Sequence, residues 1–459
     1  MTAKASTSNN LIQGNIQTTL YRMTVPMIIG MVMMMSFSLI DTFFVSLLGT
    51  EQLAAISFTF PVTFTVISLN IGLGIGTSAV IGKLQGRGDP ETARFRATGA
   101  MMTSVLLVGI LAFIGMVTIE PVFSLLNASP ELLPYISDYM TIWYLSSLFL
   151  ALPMVGNSVL RACGDTRTPS IIMASGGFLN AALDPLFIFG WGPIPAMGIQ
   201  GAAVATLIAW SVGATWIIYL LAIKRNLMLP RLLNLTELVE NSRDIMRIGF
   251  PAAGANMLTP IAGGVMTAVV ATYGAEAVAA WGVGHRLESI ASIIILSLSM
   301  TLPPFISQNV GADKFNRVEQ AYKLTLKFIM LWQLFIFVLL WALSGLIADV
   351  FAKEAEVASL IKLFLAIVPI GYGLQGVIIL TNSSFNAMHK PMTALVLSVI
   401  RLFVFFVPIS YLGSVVYGLE GLFWGTVVAN LLMGMVAFYW FSREINQFRE
   451  EYKESTEYE

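Results

Sequence analysis

Charged side chains are scarce in this chain of 459 residues, and this scarcity excludes most soluble folds. Asp, Glu, Lys and Arg together make up 11% of the residues, whereas 56% are hydrophobic. A soluble domain carries about 25% charged residues, so this composition cannot cover a surface that faces water. Apolar runs of about 20 residues, each long enough to cross a hydrocarbon core, recur along the whole length. We therefore expect lipid to be the solvent around much of the protein.

Cysteine, histidine and catalytic motifs are also scarce or missing. Cys163 is the single cysteine, which excludes an internal disulfide, and with only two histidines it cannot build a His/Cys metal site. The net charge of −1 offers no basic field for nucleic acid, so no such partner is expected. No Walker, G-x-S-x-G or H-E-x-x-H motif occurs. The sequence therefore indicates no ATP hydrolysis, no other enzyme activity and no cofactor.

Twelve apolar segments predict an all-α integral membrane protein with twelve transmembrane helices. These segments cover residues 17–48, 52–82, 92–119, 131–161, 168–190, 197–223, 240–272, 276–308, 318–349, 356–386, 391–414 and 418–442. Only Lys353 and Lys362 fall in the loops of one side, and two arginines fall inside spans, so 21 of the 25 Lys and Arg residues lie on the other side. By the positive-inside rule, this predicts a multi-pass protein of the cell (inner) membrane with both termini cytoplasmic.

An internal repeat divides the chain into two predicted lobes of six helices, residues 1–235 and 236–459. Pro26 in RMTVP matches Pro251 in RIGFP, and GTEQLAA matches GAEAVAA at the same offset along the chain. GIQGAAVAT matches GLEGLFWGT at a slightly shorter offset. Because six is an even number, both halves enter the membrane in the same direction, and the two repeats are parallel. Transporters use such repeats to alternate access to a site near the repeat interface, although a channel can also arise by duplication.

Two acidic residues of the first half carry the main functional hypothesis. Asp41 lies late in the first helix, Asp184 late in the fifth, and Thr206 early in the sixth, at similar predicted depths. Asn180 lies one helical turn before Asp184, on the same face. Oxygen atoms of this kind can bind Na⁺, and carboxylates in a poorly hydrated site can store protons. The alternative is that both aspartates are hydrated residues of the membrane interface.

The second half offers Arg286 and Glu288 in the eighth helix and Arg401 in the eleventh, all predicted near the midplane. Glu288 could pair with either arginine, which would partly offset the cost of burying these charges. Such a pair could hold the lobe together or take part in coupling. His285 is expected to be a packed polar residue rather than a proton relay.

Pro26 and Gly30 interrupt the first helix before Asp41. A proline inside a helix removes one hydrogen bond and clashes with the preceding turn, and glycine weakens the helix further. The pair predicts either a static kink or a point at which the helix bends.

These motifs together resemble the multidrug and toxic compound extrusion (MATE) family, and in particular its DinF-like branch. The resemblance covers nearly the whole chain, and it rests on TVPMIIG and LIDTFFVSLLG in the first helix, on RACGDTRTP, on LNAALDPLFIFG and on the paired GIQGAAVAT and GLEGLFWGT.

The resemblance implies an antiporter that exports cationic or amphipathic drugs in exchange for H⁺, or alternatively Na⁺. It implies that coupling resides in the acidic cluster of the first lobe, and that protonation of Asp41 bends the first helix at Pro26 and Gly30. If the ion is Na⁺, the expected ligands are Asp41, Asn180, Asp184 and Thr206. Tyr139 and Asn157 are weaker candidates for substrate binding.

Two other functions stay open at this stage. A flippase of related fold for lipid-linked saccharides would need a strongly basic cavity, which the few cations inside the spans do not predict. A passive channel would not move a solute against its gradient. The expected partners are drug-like solutes and the lipid bilayer, and the expected state is a monomer.

Overall fold

The computed structural model describes residues 11–126 and 128–457, with side chains up to residue 450. These residues form helices joined by short turns, and no strand is present among them apart from an isolated bridge between Trp191 and Ile194. The helices of the first half are α1 Ile16–Ser46, α2 Thr50–Gly86, α3 Pro90–Val117, α4 Ile119–Leu125, α5 Leu133–Ala162, α6 Arg167–Phe189 and α7 Ile199–Tyr219, which a π-helical turn, Leu220–Lys224, extends.

The second half repeats this pattern with more interruptions. Its helices are α8 Leu235–Ala271, α9 Ala275–Ala291, α10 Ile293–Gly311, α11 Phe315–Ala342, α12 Ser344–Phe351, α13 Ala355–Ile367, α14 Tyr372–Ala387, α15 Pro391–Val399 and α16 Val407–Glu457. A 3₁₀ turn, Val368–Gly371, joins α13 to α14, and a π-helical segment, Ile400–Phe406, joins α15 to α16. The predicted eighth span consists of α9 and α10, which meet at Ser292.

Eleven helical stretches of the described part are long and apolar enough to cross a membrane. The last of them, Pro391–Glu450, has 60 residues, which would extend about 90 Å at 1.5 Å per residue, three times the thickness of a hydrocarbon core. Its backbone leaves the helical conformation at Tyr417 and Gly418, where Gly418 has φ 64° and ψ −148°. This stretch therefore comprises two crossings, and the described residues contain the twelve that the sequence predicts.

The repeat is visible in the backbone turns as well as in the sequence. Gly49 and Gly274, which the repeat aligns, both precede a helix with positive φ, at 131° and 107°. Gly198 and Gly418, which it also aligns, have φ of 57° and 64° and similarly extended ψ of −131° and −148°. Glycine is the residue that adopts these conformations without strain. The same turns therefore begin equivalent helices in both halves.

The chain forms two compact units, each with its own buried apolar core. Residues Tyr21–Ala253 belong to the first unit, whereas residues 11–20 and 254–457 belong to the second. The leading turns of α1 and α8, the first helix of each half, thus belong to the unit that the other half forms. The predicted lobe boundary between 235 and 236 stays a prediction.

Basic side chains hold both leading segments. Within the second unit, Arg317 donates to the carbonyls of Leu11 at 3.2 Å and Gly14 at 2.7 Å, and Leu11 is buried. Within the first unit, Arg96 donates to the carbonyl of Glu240 at 3.0 Å and pairs with Asp244 at 3.1 Å.

Candidate ion-coupling site

Helices α1 and α6 of the first unit pack closely along their length. A Cβ atom on Gly30 would lie only 3.0 Å from the Cα of Ser170, so the absence of a side chain at Gly30 permits the approach. The Ser170 hydroxyl lies 3.5 Å from the sulfur of Met27. Small residues at helix contacts are typical of membrane proteins, where close van der Waals packing replaces the hydrophobic effect.

Aromatic contacts continue this packing toward the other end of both helices. The Phe37 ring lies against Gly177 and meets the Phe178 ring at a centroid distance of 6.0 Å. Two to three turns further, Phe44 and Phe189 approach within 6.3 Å. Because both residue numbers rise together, the helices run parallel, and Asp41 of α1 arrives beside Asp184 of α6.

The two aspartates are neighbours, and one of them is completely buried. The side chain of Asp184 has 0% relative exposure, and neither of its oxygens has a hydrogen-bond partner of normal geometry among the described residues. Asp41 is partly buried and interacts electrostatically with Asp184. Tyr139 of α5 interacts with both carboxyl groups. Two carboxyl groups in a poorly hydrated site repel one another when both are ionised, and a bound cation relieves that repulsion.

Asn180 and Thr206 lie on the helices that complete this site. The Asn180 side-chain amide donates to the Thr206 hydroxyl over 3.3 Å, and that hydroxyl donates to the carbonyl of Ala202 at 3.0 Å. Pro185 lies inside α6 directly after Asp184; since proline has no N–H, the carbonyl of the preceding turn lacks its usual donor. The structure thus places the four predicted coupling residues on three helices of one unit.

Tyr139 and Asn157 occupy different levels of α5. Eighteen residues separate them, which corresponds to about 27 Å along a helix. Asn157 is buried, and the Oδ1 atom of its side-chain amide has no hydrogen-bond partner within the described ranges. Tyr139 therefore lies near the aspartates, whereas Asn157 lies elsewhere, and a role for Asn157 in substrate binding stays a prediction.

Pro26 and Gly30 both lie inside α1, which is continuous from Ile16 to Ser46. The helix thus spans the proline without ending there, and a Cβ atom on Gly30 would come within 3.0 Å of Ser170 on α6. Whether the helix bends at these residues stays a prediction.

The contacts of Glu288 in the second unit differ from the predicted arginine pairs. Its Oε2 accepts a hydrogen bond from Nδ1 of His285 at 2.8 Å, and its Oε1 accepts one from the amide of Gln375 at 2.9 Å. Arg401 is close enough to interact electrostatically, but Arg286 is exposed and forms no ion pair with Glu288. Residues two apart on a helix point about 200° apart, which explains why, of the two predicted arginines, Arg286 is not the one near Glu288.

His285 and Gln375 are the partners of Glu288 that sequence reasoning did not assign. The spacing of three residues between His285 and Glu288 places them on one helix face, and this signal was available. Gln375 lies 87 residues from Glu288 on another helix, so no local pattern could identify it.

No group of three or more His, Cys, Asp or Glu residues is arranged to hold a metal ion in the described part of the chain. The acidic site has two carboxylates, so the oxygens of Asn180, Thr206 and the backbone would have to complete any Na⁺ site.

The comparison with known families decides what kind of protein this is. The sequence pattern of the MatE family matches residues 26–186 and again residues 251–412. The chain belongs to the MATE family. Its two matched segments begin at Pro26 and Pro251, the two prolines that the internal repeat aligns. As a MATE protein it is a membrane transporter and not an enzyme; its assignment to the DinF-like branch stays a prediction.

Relatives of this MATE transporter are named for different functions. A protein of Shewanella oneidensis named FAD transporter is 40% identical over 94% of this chain and 95% of its own length. Multidrug export protein MepA of Staphylococcus saprophyticus is 24% identical over 90% of this chain and 91% of its own. The crystal structure of the Vibrio cholerae MATE transporter VcmN in the bent form superimposes with a TM-score of 0.89 and 32% identity, over 96% of this chain and 99% of that one.

Proposed function

We propose that this MATE transporter exports a small organic solute from the cytoplasm in exchange for protons, and that Asp41 and Asp184 carry the protons. The observation that carries this proposal is the adjacency of the two carboxyl groups, with Asp184 completely buried. From the charge asymmetry of the sequence, we propose that both termini are cytoplasmic and that the protein lies in the inner membrane. We also propose that it acts as a monomer.

Simple electrostatics supports a cation-binding role for this pair. Two unit charges 4 Å apart repel by about 4 kcal/mol at an effective dielectric constant of 20. The pair therefore favours binding one positive charge, and exchanging that charge between the two sides of the membrane couples transport to an ion gradient. Na⁺ is the second candidate, with Asp41, Asn180, Asp184 and Thr206 as its ligands.

Bending of helix α1 would couple ion binding at Asp41 to a conformational change. Pro26 removes one backbone hydrogen bond, so the helix resists bending least near the proline. Asp41 lies about four turns further along the same helix. Neutralising Asp41 removes its electrostatic repulsion from Asp184 of α6, which changes the interaction between the two helices. A crystal structure of the related VcmN is described as a bent form, and we propose that in this chain the bend lies in α1 at Pro26 and Gly30.

For the substrate, we propose flavin adenine dinucleotide or a closely similar nucleotide. This follows the 40% identity, over nearly the full length of both chains, to the protein named FAD transporter. Export of cationic or amphipathic drugs is the second candidate, supported by the MATE family membership and by the relative named multidrug export protein.

Purified protein in liposomes tests both parts of this proposal. FAD or the cationic dye ethidium would be placed on one side, and a pH gradient and a Na⁺ gradient would be imposed separately. We expect a pH gradient alone to drive FAD against its concentration gradient. In Asp41→Asn we expect FAD binding to persist and gradient-driven accumulation to be lost.

Accumulation by Asp41→Asn at the wild-type rate would show that the acidic pair does not couple transport. Accumulation driven only by the Na⁺ gradient would replace H⁺ by Na⁺, and accumulation of ethidium but not FAD would select the drug-export alternative.

A further inference from the structure

A second polar cluster, within the unit of residues 11–20 and 254–457, surrounds Glu288. Hydrogen-bond donors reach this carboxylate from His285 on α9, at 2.8 Å, and from Gln375 on α14, at 2.9 Å. Arg401, on the π-helical segment, interacts with it electrostatically, and so does Tyr372 at the start of α14. One carboxylate thus draws donors from three segments of the chain.

Two of these donors have capacity left for a ligand. The Tyr372 hydroxyl is buried and has no hydrogen-bond partner among the described residues, and a buried polar group without a partner is costly. The imidazole of His285 uses Nδ1–H for Glu288, and in its protonated form Nε2 carries a second N–H that can donate to an anion. The side chain of His285 is 42% exposed.

The aromatic surroundings fix the position of His285. Its ring packs edge-on against Trp281 at a centroid distance of 4.4 Å and approaches Phe364 at 6.2 Å. Trp281 also stacks on Phe423 at 6.1 Å with an interplanar angle of 9°. The rings of Trp281, Phe364 and Phe423 are buried, so their packing restricts the position of the imidazole. The contact between Nδ1 and Glu288 sets the orientation of the His285 ring.

Arg401 lies in an unusual backbone. The segment Ile400–Phe406 is π-helical, and π-helical turns inside α-helices occur frequently at functional sites. The Arg401 side chain is partly buried, and Glu288 is its single charged neighbour identified in the described part of the chain. A guanidinium has five donors, which suit the bidentate binding of a carboxylate or a phosphate.

We propose that Arg401, His285 and Tyr372 bind an anionic group of the transported substrate, such as the diphosphate of a flavin dinucleotide. When substrate is absent, Glu288 accepts the hydrogen bond from His285 and attracts Arg401, so it competes with the anion for these two groups. The Tyr372 hydroxyl, in contrast, has no hydrogen-bond partner among the described residues and is available to the anion. The inference rests on the proposed function, because it assumes that the substrate carries phosphate. It assigns recognition of negative charge to this cluster and leaves ion coupling to Asp41 and Asp184.

The test compares two ligands that share a ring system but differ in charge. FAD carries the diphosphate, whereas riboflavin has the same isoalloxazine ring and no phosphate; binding of each to purified protein is followed by flavin fluorescence. We expect Arg401→Gln to weaken FAD binding about tenfold or more, as expected for the loss of a charge-assisted hydrogen bond, and to leave riboflavin binding unchanged. We expect Glu288→Gln to strengthen FAD binding, because the competing charge is removed.

The opposite signs of these two effects separate recognition from damage to the fold. Arg286→Gln is the matched control, since it removes the same charge from an exposed side chain on the same helix as Glu288, and we expect it to bind FAD as the wild type does. The inference is overturned if Arg401→Gln weakens FAD and riboflavin equally, if it weakens neither, or if Glu288→Gln weakens FAD binding.

Failure of this inference is distinguishable from failure of the proposed function. Wild-type protein that binds FAD with an affinity insensitive to Arg401 disproves the anion site and leaves proton-coupled export of FAD intact. Wild-type protein that binds neither FAD nor inorganic pyrophosphate, but transports ethidium with protons, disproves the anion site together with the nucleotide substrate and retains the coupling mechanism.

Discussion

At the scale of single residues, the acidic pair follows from sequence, but its adjacency does not. Asp41 and Asp184 are conspicuous because charged residues are rare inside the spans, where each costs about 2.5–3.5 kcal/mol on insertion scales. Counting residues from the helix ends predicts a similar depth for both. It cannot predict that the two carboxyl groups face each other, because that depends on the rotation of α1 and α6 about their axes.

Replacing Asp184 tests whether the buried carboxyl group serves coupling or folding. Asp184→Asn has the same shape without a charge, so we expect the free energy of unfolding in detergent to stay the same or rise, because a buried charge no longer needs compensation. We expect proton release on substrate binding to be lost. Asp138→Asn is the control, since Asp138 is an exposed aspartate of the same unit. A clear loss of stability in Asp184→Asn alone would indicate a structural role.

Two partners of Glu288, Tyr372 and Gln375, could not be predicted from the sequence. The sequence indicated that Glu288 pairs with Arg401 or Arg286 and that His285 is a packed polar residue, but it did not indicate that His285, Tyr372 and Gln375 surround Glu288. Tyr372 and Gln375 lie on a helix that is distant in the sequence, and only the packing of the second unit determines which of its residues reach the carboxylate.

At the scale of helices, hydrophobic length predicted the crossings, and the interruptions within them were not predicted. The predicted eighth span is broken at Ser292, and the predicted ninth span, 318–349, consists of α11 and α12, which meet at Leu343. The residues at these two breaks are neither proline nor glycine, which usually signal one. The turn at Gly418, in contrast, was predictable because its equivalent, Gly198, begins a helix in the first half.

The packing of α1 on α6 makes a prediction about Gly30. A Cβ atom in Gly30→Ala would lie 3.0 Å from Cα and 3.1 Å from Cβ of Ser170. Overpacking of this kind typically costs about 1–3 kcal/mol. We expect a corresponding loss in the free energy of unfolding, measured in detergent, and a loss of transport.

Gly176→Ala is the matched control for this substitution. Gly176 lies on α6, and no atom comes within 4 Å of an added Cβ, so helix propensity favours the alanine by up to about 1 kcal/mol. Equal effects of the two substitutions would show that the close approach at Gly30 does not matter.

At the scale of the whole molecule, the repeat was evident from sequence and the exchange of helix ends was not. Motifs matched in order at a nearly constant offset predicted two parallel halves, and the two MatE matches follow the same offset. The leading turns of α1 and α8 belong to the unit that the other half forms. Hydrophobicity carries no information about this exchange, since the attachment depends on hydrogen bonds from Arg317 and Arg96 to backbone carbonyls and a carboxylate.

Removing Arg317 tests how the first segment is held. Arg317→Ala deletes the hydrogen bonds to Leu11 and Gly14, each worth about 0.5–1.5 kcal/mol or somewhat more for a charged donor. We expect faster amide hydrogen exchange in residues 11–20, measured by mass spectrometry, with little change in α6. Lys323→Ala is the control, because it removes only a surface ion pair with Glu319. Exchange that stays at the wild-type rate in Arg317→Ala would contradict this attachment.

Composition and hydrophobic length alone determined that this chain lies in the membrane and crosses it twelve times, because lipid imposes one length and one secondary structure on every span. Motifs matched at a nearly constant offset determined that it consists of two parallel repeats. The tertiary structure decided which side chains meet. Side-chain contacts depend on helix rotation and on partners far along the chain, so only the folded units set Asp41 beside Asp184 and gathered His285, Tyr372, Gln375 and Arg401 around Glu288.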